Sequence, residues 1–160
     1  MQNYNLSDEQ KSVIDTFVNT DINTVVIGKA GVGKSVTLRE LIKNSDETNQ
    51  HGFVLAPTGV AAINVGGMTI HKFMGRINNI KEYPRRKIDF IIIDEISMVR
   101  ADLLDDLSKT LQRYNGDHRA FGGCRIVCIG DPAQLPPVLR EDSDEWDYVY
   151  DNYHTPSLVS

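Results

Sequence analysis

Apolar positions in this chain fall into two patterns, short unbroken runs and longer stretches at helical spacing. The runs are Thr24-Val25-Val26-Ile27, Phe53-Val54-Leu55-Ala56, Ile88-Asp89-Phe90-Ile91-Ile92-Ile93 and Ile126-Val127-Cys128-Ile129. Each is too short and too continuously apolar for a helix and reads as a strand, the first of them buried. Pro57 stops the second. Between them lie three helical patterns. Residues 8–19 place Val13, Ile14, Phe17 and Val18 on one stripe, the stretch after residue 33 aligns Val36, Leu38, Leu41 and Ile42, and residues 101–114 align Leu103, Leu104, Leu107 and Leu111. Ser7-x-x-Gln10 forms a capping box for the first helix. Apolar strands alternating with helices predict an α/β fold, a mostly parallel sheet covered by helices on both faces.

The first strand runs into Gly28-Lys29-Ala30-Gly31-Val32-Gly33-Lys34-Ser35, a match to G-x-x-x-x-G-K-[ST]. With glycine at about 7% of residues, a chance match in a chain this long has odds of roughly one in a few hundred. Strand, glycine loop and helix is the context the motif needs. Loop N–H groups and the positive end of the helix dipole then face an anion. Lys34 reaches the β- and γ-phosphates of a nucleoside triphosphate, and the Ser35 hydroxyl holds Mg²⁺. The third strand ends at Asp94-Glu95, which puts two carboxylates at the carboxyl edge of the sheet, where ligands of open α/β folds sit. Asp94 suits Mg²⁺ and Glu95 the activation of water; capping of a following helix is the plainer alternative. After the fourth strand comes Gly130-Asp131-Pro132-Ala133-Gln134-Leu135-Pro136-Pro137. The Gln134 amide both donates and accepts, which suits a phosphate or a water; a stiff exposed loop is the alternative.

Composition narrows this further. At 160 residues and 41% hydrophobic the chain can build one domain with a real core. It has no signal peptide and no apolar run long enough for a bilayer, so a soluble intracellular protein, cytoplasmic or nuclear, with no membrane partner is expected. Cys124 and Cys128 read as reduced packing residues on one strand face. The net charge is −5 but unevenly spread. Lys72, Arg76, Lys81, Arg85, Arg86 and Lys87 face a lone Glu82, while residues 141–151 carry Glu141, Asp142, Asp144, Glu145, Asp147 and Asp151 and no basic residue. Because screening limits distant charge to about 8–10 Å, the basic run can track a phosphate backbone or be ordinary solvated surface.

Three segments together resemble the Pif/RecD-like branch of superfamily-one DNA helicases. They are Ala56-Pro57-Thr58-Gly59-Val60-Ala61-Ala62 running on to Gly67-Met68-Thr69-Ile70-His71-Lys72-Phe73, then Asp94-Glu95-Ile96-Ser97-Met98, then Gly130 through Val138. Phe121-Gly122-Gly123 also fits, and the likeness runs from about Leu6 to Val138. It implies a RecA-like P-loop domain over residues 1–138, the ATP-binding motor of a 5′-to-3′ DNA helicase active in repair, recombination and telomere maintenance. It further implies that Gln10 reads adenine and that Gly28, Ala30, Gly31, Val32, Gly33, Lys34, Ser35 and Val36 hold ATP. Ser35 and Asp94 would hold Mg²⁺, with Lys34, Glu95 and Gln134 catalytic. Pro57, Thr58, Gly59, His71 and Lys72 would contact single-stranded DNA, whereas Phe73 reads as core.

Two departures from the family bear on activity. Its motors carry a second RecA-like domain that supplies an arginine to the γ-phosphate, and an arginine finger is worth about 10³–10⁵ in rate. Nothing here resembles that domain, so an expression fragment or a natural truncation that hydrolyses ATP poorly is expected. Many relatives also insert a subdomain where only residues 75–87 lie here. The extension over residues 139–160, with Trp146, Tyr148, Tyr150 and Tyr153, is expected to pack on the domain or on the missing half. The rival expectations are an oligomeric stand-alone P-loop ATPase and an ATP-gated single-strand-binding module.

Overall fold

Parallel pairing governs every neighbouring strand of the sheet. The computed structural model describes residues 5–29, 31, 33–80, 86–131 and 133. Within them the strands are β1 (Thr24–Ile27), β2 (Gly52–Ala56), β3 (Met68–Thr69), β4 (Phe90–Ile93) and β5 (Arg125–Gly130), in the order β1-β5-β4-β2-β3. The helices are α1 (Asp8–Asn19), α2 (Lys34–Glu47), α3 (Gly59–Asn64), α4 (Ile70–Asn78) and α5 (Ala101–Asn115), with 3₁₀ turns at Ile96–Met98 and Ala120–Gly123.

From β1 the chain moves across the sheet to β2 and β3, then returns to β4 and β5. Right-handed crossovers in opposite directions place their helices on opposite faces. The core follows suit. Phe17 of α1 and Leu38 and Leu41 of α2 pack with Phe90, Ile92, Val127 and Ile129. On the other face Phe73 and Ile77 of α4 and Leu107 and Leu111 of α5 pack with Leu55, Ile91, Ile93 and Ile126. Successive residues of β4 thus serve the two layers alternately, and all four are buried.

The expectation of a buried first strand needs correction. β1 lies at the edge of the sheet, and although Val26 packs inward, Val25 and Ile27 remain 48% and 54% exposed. An apolar run reports strand propensity, not position in the sheet. The structure also adds β3 and α4. Gly67 makes β3 possible, because a Cβ there would lie 2.3 Å from the Val54 carbonyl oxygen.

Both cysteines are reduced and pack in the α4–α5 layer. The Cys124 thiol donates to the Ile88 carbonyl (3.1 Å). Burial pushes both thiols up to about 11, which keeps them protonated and inert. Opening β5, the buried Arg125 donates to the Thr20 carbonyl (2.8 Å) and to Gln50 Oε1 (2.7 Å) while lying 3.9 Å over the Phe17 ring. It joins the chain ends that leave α1 and α2.

Candidate functional site

Parallel strands bring all their carboxyl ends to one edge, and the site is built there. Two backbone hydrogen bonds carry the ladder past the strand ends. Gly28 N–H donates to the Gly130 carbonyl (3.1 Å), and Asp94 N–H to the Leu55 carbonyl (2.9 Å). The glycine loop is thereby fixed beside the end of β5, and Asp94 beside the end of β2.

Gly33 begins α2 in the left-handed region (φ 89°), which glycine adopts without strain. No side chain caps this helix. Its first N–H groups therefore remain available to an anion. Lys34 turns its ammonium back onto the Gly28 carbonyl. The capping box on α1 forms as expected, and the same Gln10 amide donates to the Gly33 carbonyl (3.1 Å).

Burial pushes the Asp94 carboxyl above its ordinary range, outweighing a backbone hydrogen bond from Glu95 and the Lys34 charge, which pull it down. A cation beside Asp94 would remove that penalty. Glu95 sits at φ 53°, a conformation that costs a non-glycine residue on the order of 1 kcal/mol. Its carboxylate makes no capping hydrogen bond to the turn that follows, so the capping alternative fails for Glu95.

These groups surround one cavity of about 420 Å³. Gly31, Gly33, Lys34 and Ser35 line it from the loop, Asp94 and Glu95 from β4, and Gly130 and Asp131 from β5. Ala61, Asn64 and Val65 complete the wall; sequence reasoning missed all three, because nothing in the linear pattern tells which side of so short a helix meets the loop. Ser35 and Asp94 offer the hard oxygen ligands that suit Mg²⁺. No cluster of three or more His, Cys, Asp or Glu exists among the described residues, and Mg²⁺ held through phosphates and waters needs none. Val36 lies in the first turn of α2, while Ala30, Val32 and Gln134 fall outside the described residues, as does the 138/139 domain boundary.

A second group of residues shares the edge. β2 and β3 pair Ala56 with Thr69, so Pro57 and Ile70 leave the sheet side by side. The Thr58 hydroxyl accepts from Ala61 N–H (3.2 Å) and caps α3; that of Thr69 accepts from Lys72 N–H (3.2 Å) and caps α4. Thr58, Gly59, His71 and Lys72 are exposed, whereas Phe73 is fully buried, as its structural reading requires. Lys81, Glu82 and Arg85 of the basic run fall outside the described residues, and its described members Lys72, Arg76, Arg86 and Lys87 do not form one patch. α4 carries the chain roughly 13 Å away from this edge. At the opposite edge Arg86 donates to the Asn49 carbonyl (2.7 Å) and Lys87 pairs with Asp117 (3.7 Å). Among the described residues no helix is long and apolar enough to cross a membrane.

Comparison with known proteins agrees with this architecture. The model of the PIF1-like helicase family matches residues 5–149. The chain is 35% identical to the ATP-dependent DNA helicase PIF1 of Saccharomyces cerevisiae over 164 aligned positions, covering 92% of this chain and 19% of that protein. The human PIF1 helicase is 32% identical, covering 84% and 23%. Among solved structures, Bacteroides Pif1 in complex with ADP-AlF3 and single-stranded DNA superposes with a TM-score of 0.76 at 36% identity, covering 92% of this chain and 37% of that one. A structure of two coordinating Pif1 helicases at forked duplex DNA gives 0.79 at 35% identity, covering 94% and 38%. The chain thus spans about a fifth of the yeast relative and less than two fifths of the solved ones.

Proposed function

The chain belongs to the PIF1-like helicase family, and from that premise we propose that it is the first, ATP-binding RecA-like motor domain of a 5′-to-3′ DNA helicase. The observation that carries the reading is the meeting of Lys34, Ser35, Asp94 and Glu95 around one cavity.

In this reading the Lys34 ammonium leaves the Gly28 carbonyl for the β- and γ-phosphates, while the N–H groups opening α2 and the loop Gly28–Val36 hold the rest of the triphosphate. The Ser35 hydroxyl and Asp94 carboxylate hold Mg²⁺, which supplies charge neutralisation at the phosphates. Glu95 takes the proton of the attacking water. Gln10 faces adenine, and Gln134 senses the γ-phosphate. Pro57, Thr58, Gly59, His71 and Lys72 bind single-stranded DNA from the neighbouring ends of β2 and β3, with α3 and α4 starting at the phosphates. The Bacteroides relative, solved with ADP-AlF3 and single-stranded DNA, supports both ligands. The relatives extend far beyond the matched part, which supports a second RecA-like domain that completes the γ-phosphate site.

The test is ATP binding and turnover by this chain at low salt, with and without single-stranded DNA, beside Glu95→Gln. ATP·Mg²⁺ binding with very little turnover is the expected result. Vigorous DNA-stimulated turnover that vanishes in Glu95→Gln would mean that copies of the chain complete one another's sites, and the half-motor reading would fall.

A further inference from the structure

α3 reaches both candidate sites. Its N-cap is Thr58, at the proposed nucleic-acid contact, and its last residue, Asn64, lines the cavity that holds Lys34, Asp94 and Glu95. Six helical residues rise only about 9 Å. A group at one end is therefore rigidly tied to a group at the other.

Asn64 is exposed, and no hydrogen bond engages its amide among the described residues. Among the described residues it brings a neutral amide into a cavity wall whose other polar side chains are a lysine, a serine and carboxylates. An amide can donate to a phosphate oxygen and accept from a water without adding charge to a site that already sets a triphosphate beside the carboxylates of Asp94, Glu95 and Asp131. Seating of α3 also favours movement. The buried cluster beneath it consists of Ala56, Ala61 and Ala62, while Val60 and Ile63 stand 72% and 80% exposed. Small side chains give up little apolar contact when a helix slides by a fraction of a turn.

We infer that Asn64 hydrogen-bonds the terminal phosphate of the bound nucleotide, and that α3 thereby couples a nucleic-acid phosphate at Thr58 to triphosphate binding. The inference rests on the functional reading above and adds to it a contact and a route. Coupling of this kind is reciprocal, so it can be read from equilibrium binding without turnover.

The experiment is calorimetric titration of the whole chain with Mg²⁺ and either a non-hydrolysable ATP analogue or ADP, with and without a short oligodeoxythymidylate. Wild type is compared with Asn64→Ala and Asn64→Gln, and thermal midpoints check that all three fold alike. Asn64→Ala is expected to weaken the ATP analogue about tenfold, the worth of one hydrogen bond to a charged group, and ADP less than about twofold. It should also bring the effect of DNA on analogue affinity close to unity, and Asn64→Gln should restore part of both. Equal losses for the analogue and ADP, or no loss, would overturn the phosphate contact. A DNA effect that survives in Asn64→Ala, or is absent from wild type when both ligands bind, would overturn the coupling. Failure of wild type to bind either ligand would instead overturn the functional reading itself.

Discussion

The side-chain amide of Gln10 donates to the carbonyl oxygen of Gly33 at 3.1 Å while its own oxygen accepts from Ser7 N–H at 2.9 Å. One amide thus closes the capping box of α1 and touches the turn that starts α2. Of the two readings that the sequence leaves open, the helix cap is formed, and the proposed nucleotide contact would fall to a side chain that already touches the glycine loop.

Substitutions at Gln10 separate the two roles. Gln10→Glu keeps a capping box, since glutamate serves equally at that position, but sets a carboxylate against the Gly33 carbonyl. It should leave the thermal midpoint within about 2 °C of wild type, a shift worth about half a kcal/mol, and weaken nucleotide binding. Gln10→Ala loses both partners and should cost about 1 kcal/mol as well. Denaturant melts beside nucleotide titrations check this; equal stability losses in the two variants would refute the separation.

Asp94→Asn should stabilise the nucleotide-free protein while removing a proposed Mg²⁺ ligand. Burial raises the Asp94 carboxyl above its unfolded value, so its ionised form opposes folding. That penalty is full above the raised value, fades as pH falls through it, and is gone below the unfolded value. The variant should melt above wild type near pH 7.5, with the gap closing on acidification. A lower midpoint for Asp94→Asn at neutral pH would contradict it.

The apolar runs and the glycine loop made most of this fold legible, because β4 is buried throughout and the strand–loop–helix order is local. What escaped is non-local. β1 has the same apolar run as a central strand, yet only its partners decide that it stands at the edge. Ile70, Phe73 and Ile77 of α4 do show helical spacing, but β3 before them has just two residues and depends on how closely Gly67 approaches β2. Likewise, Asp94 and Glu95 are evident at a strand end, whereas Asn64 joins them only because the fold brings the end of α3 to the wall of the same cavity.

Thr58 and Lys72 should differ in how their loss is felt. The Thr58 hydroxyl caps α3, so Thr58→Val should cost about 1 kcal/mol of stability along with affinity for single-stranded DNA, and Thr58→Ser should restore the stability. Lys72 caps nothing through its side chain and is exposed. Lys72→Ala should melt like wild type, weaken DNA binding at low salt, and lower the slope of log affinity against log salt by roughly 0.7, the value for one single-strand phosphate contact. A slope unchanged in Lys72→Ala would remove that residue from the interface.

Arg125 tests the opposite edge of the sheet. Its buried guanidinium satisfies the half-buried Thr20 carbonyl and Gln50 together and covers the buried Phe17 ring. Removing it leaves two half-buried acceptors without this partner and a gap over the ring, so Arg125→Ala should cost about 2–4 kcal/mol. For a domain of this size that lowers the thermal midpoint by roughly 5–15 °C. Arg125→Lys should recover less than half, because an ammonium cannot span two acceptors in fixed geometry and stack on the ring as well. Nucleotide affinity measured well below the midpoint should match wild type in both variants, since the loop, Asp94 and Glu95 lie at the other end of the strands. A variant that melts normally but binds ATP poorly would show that the two edges of the sheet are not independent.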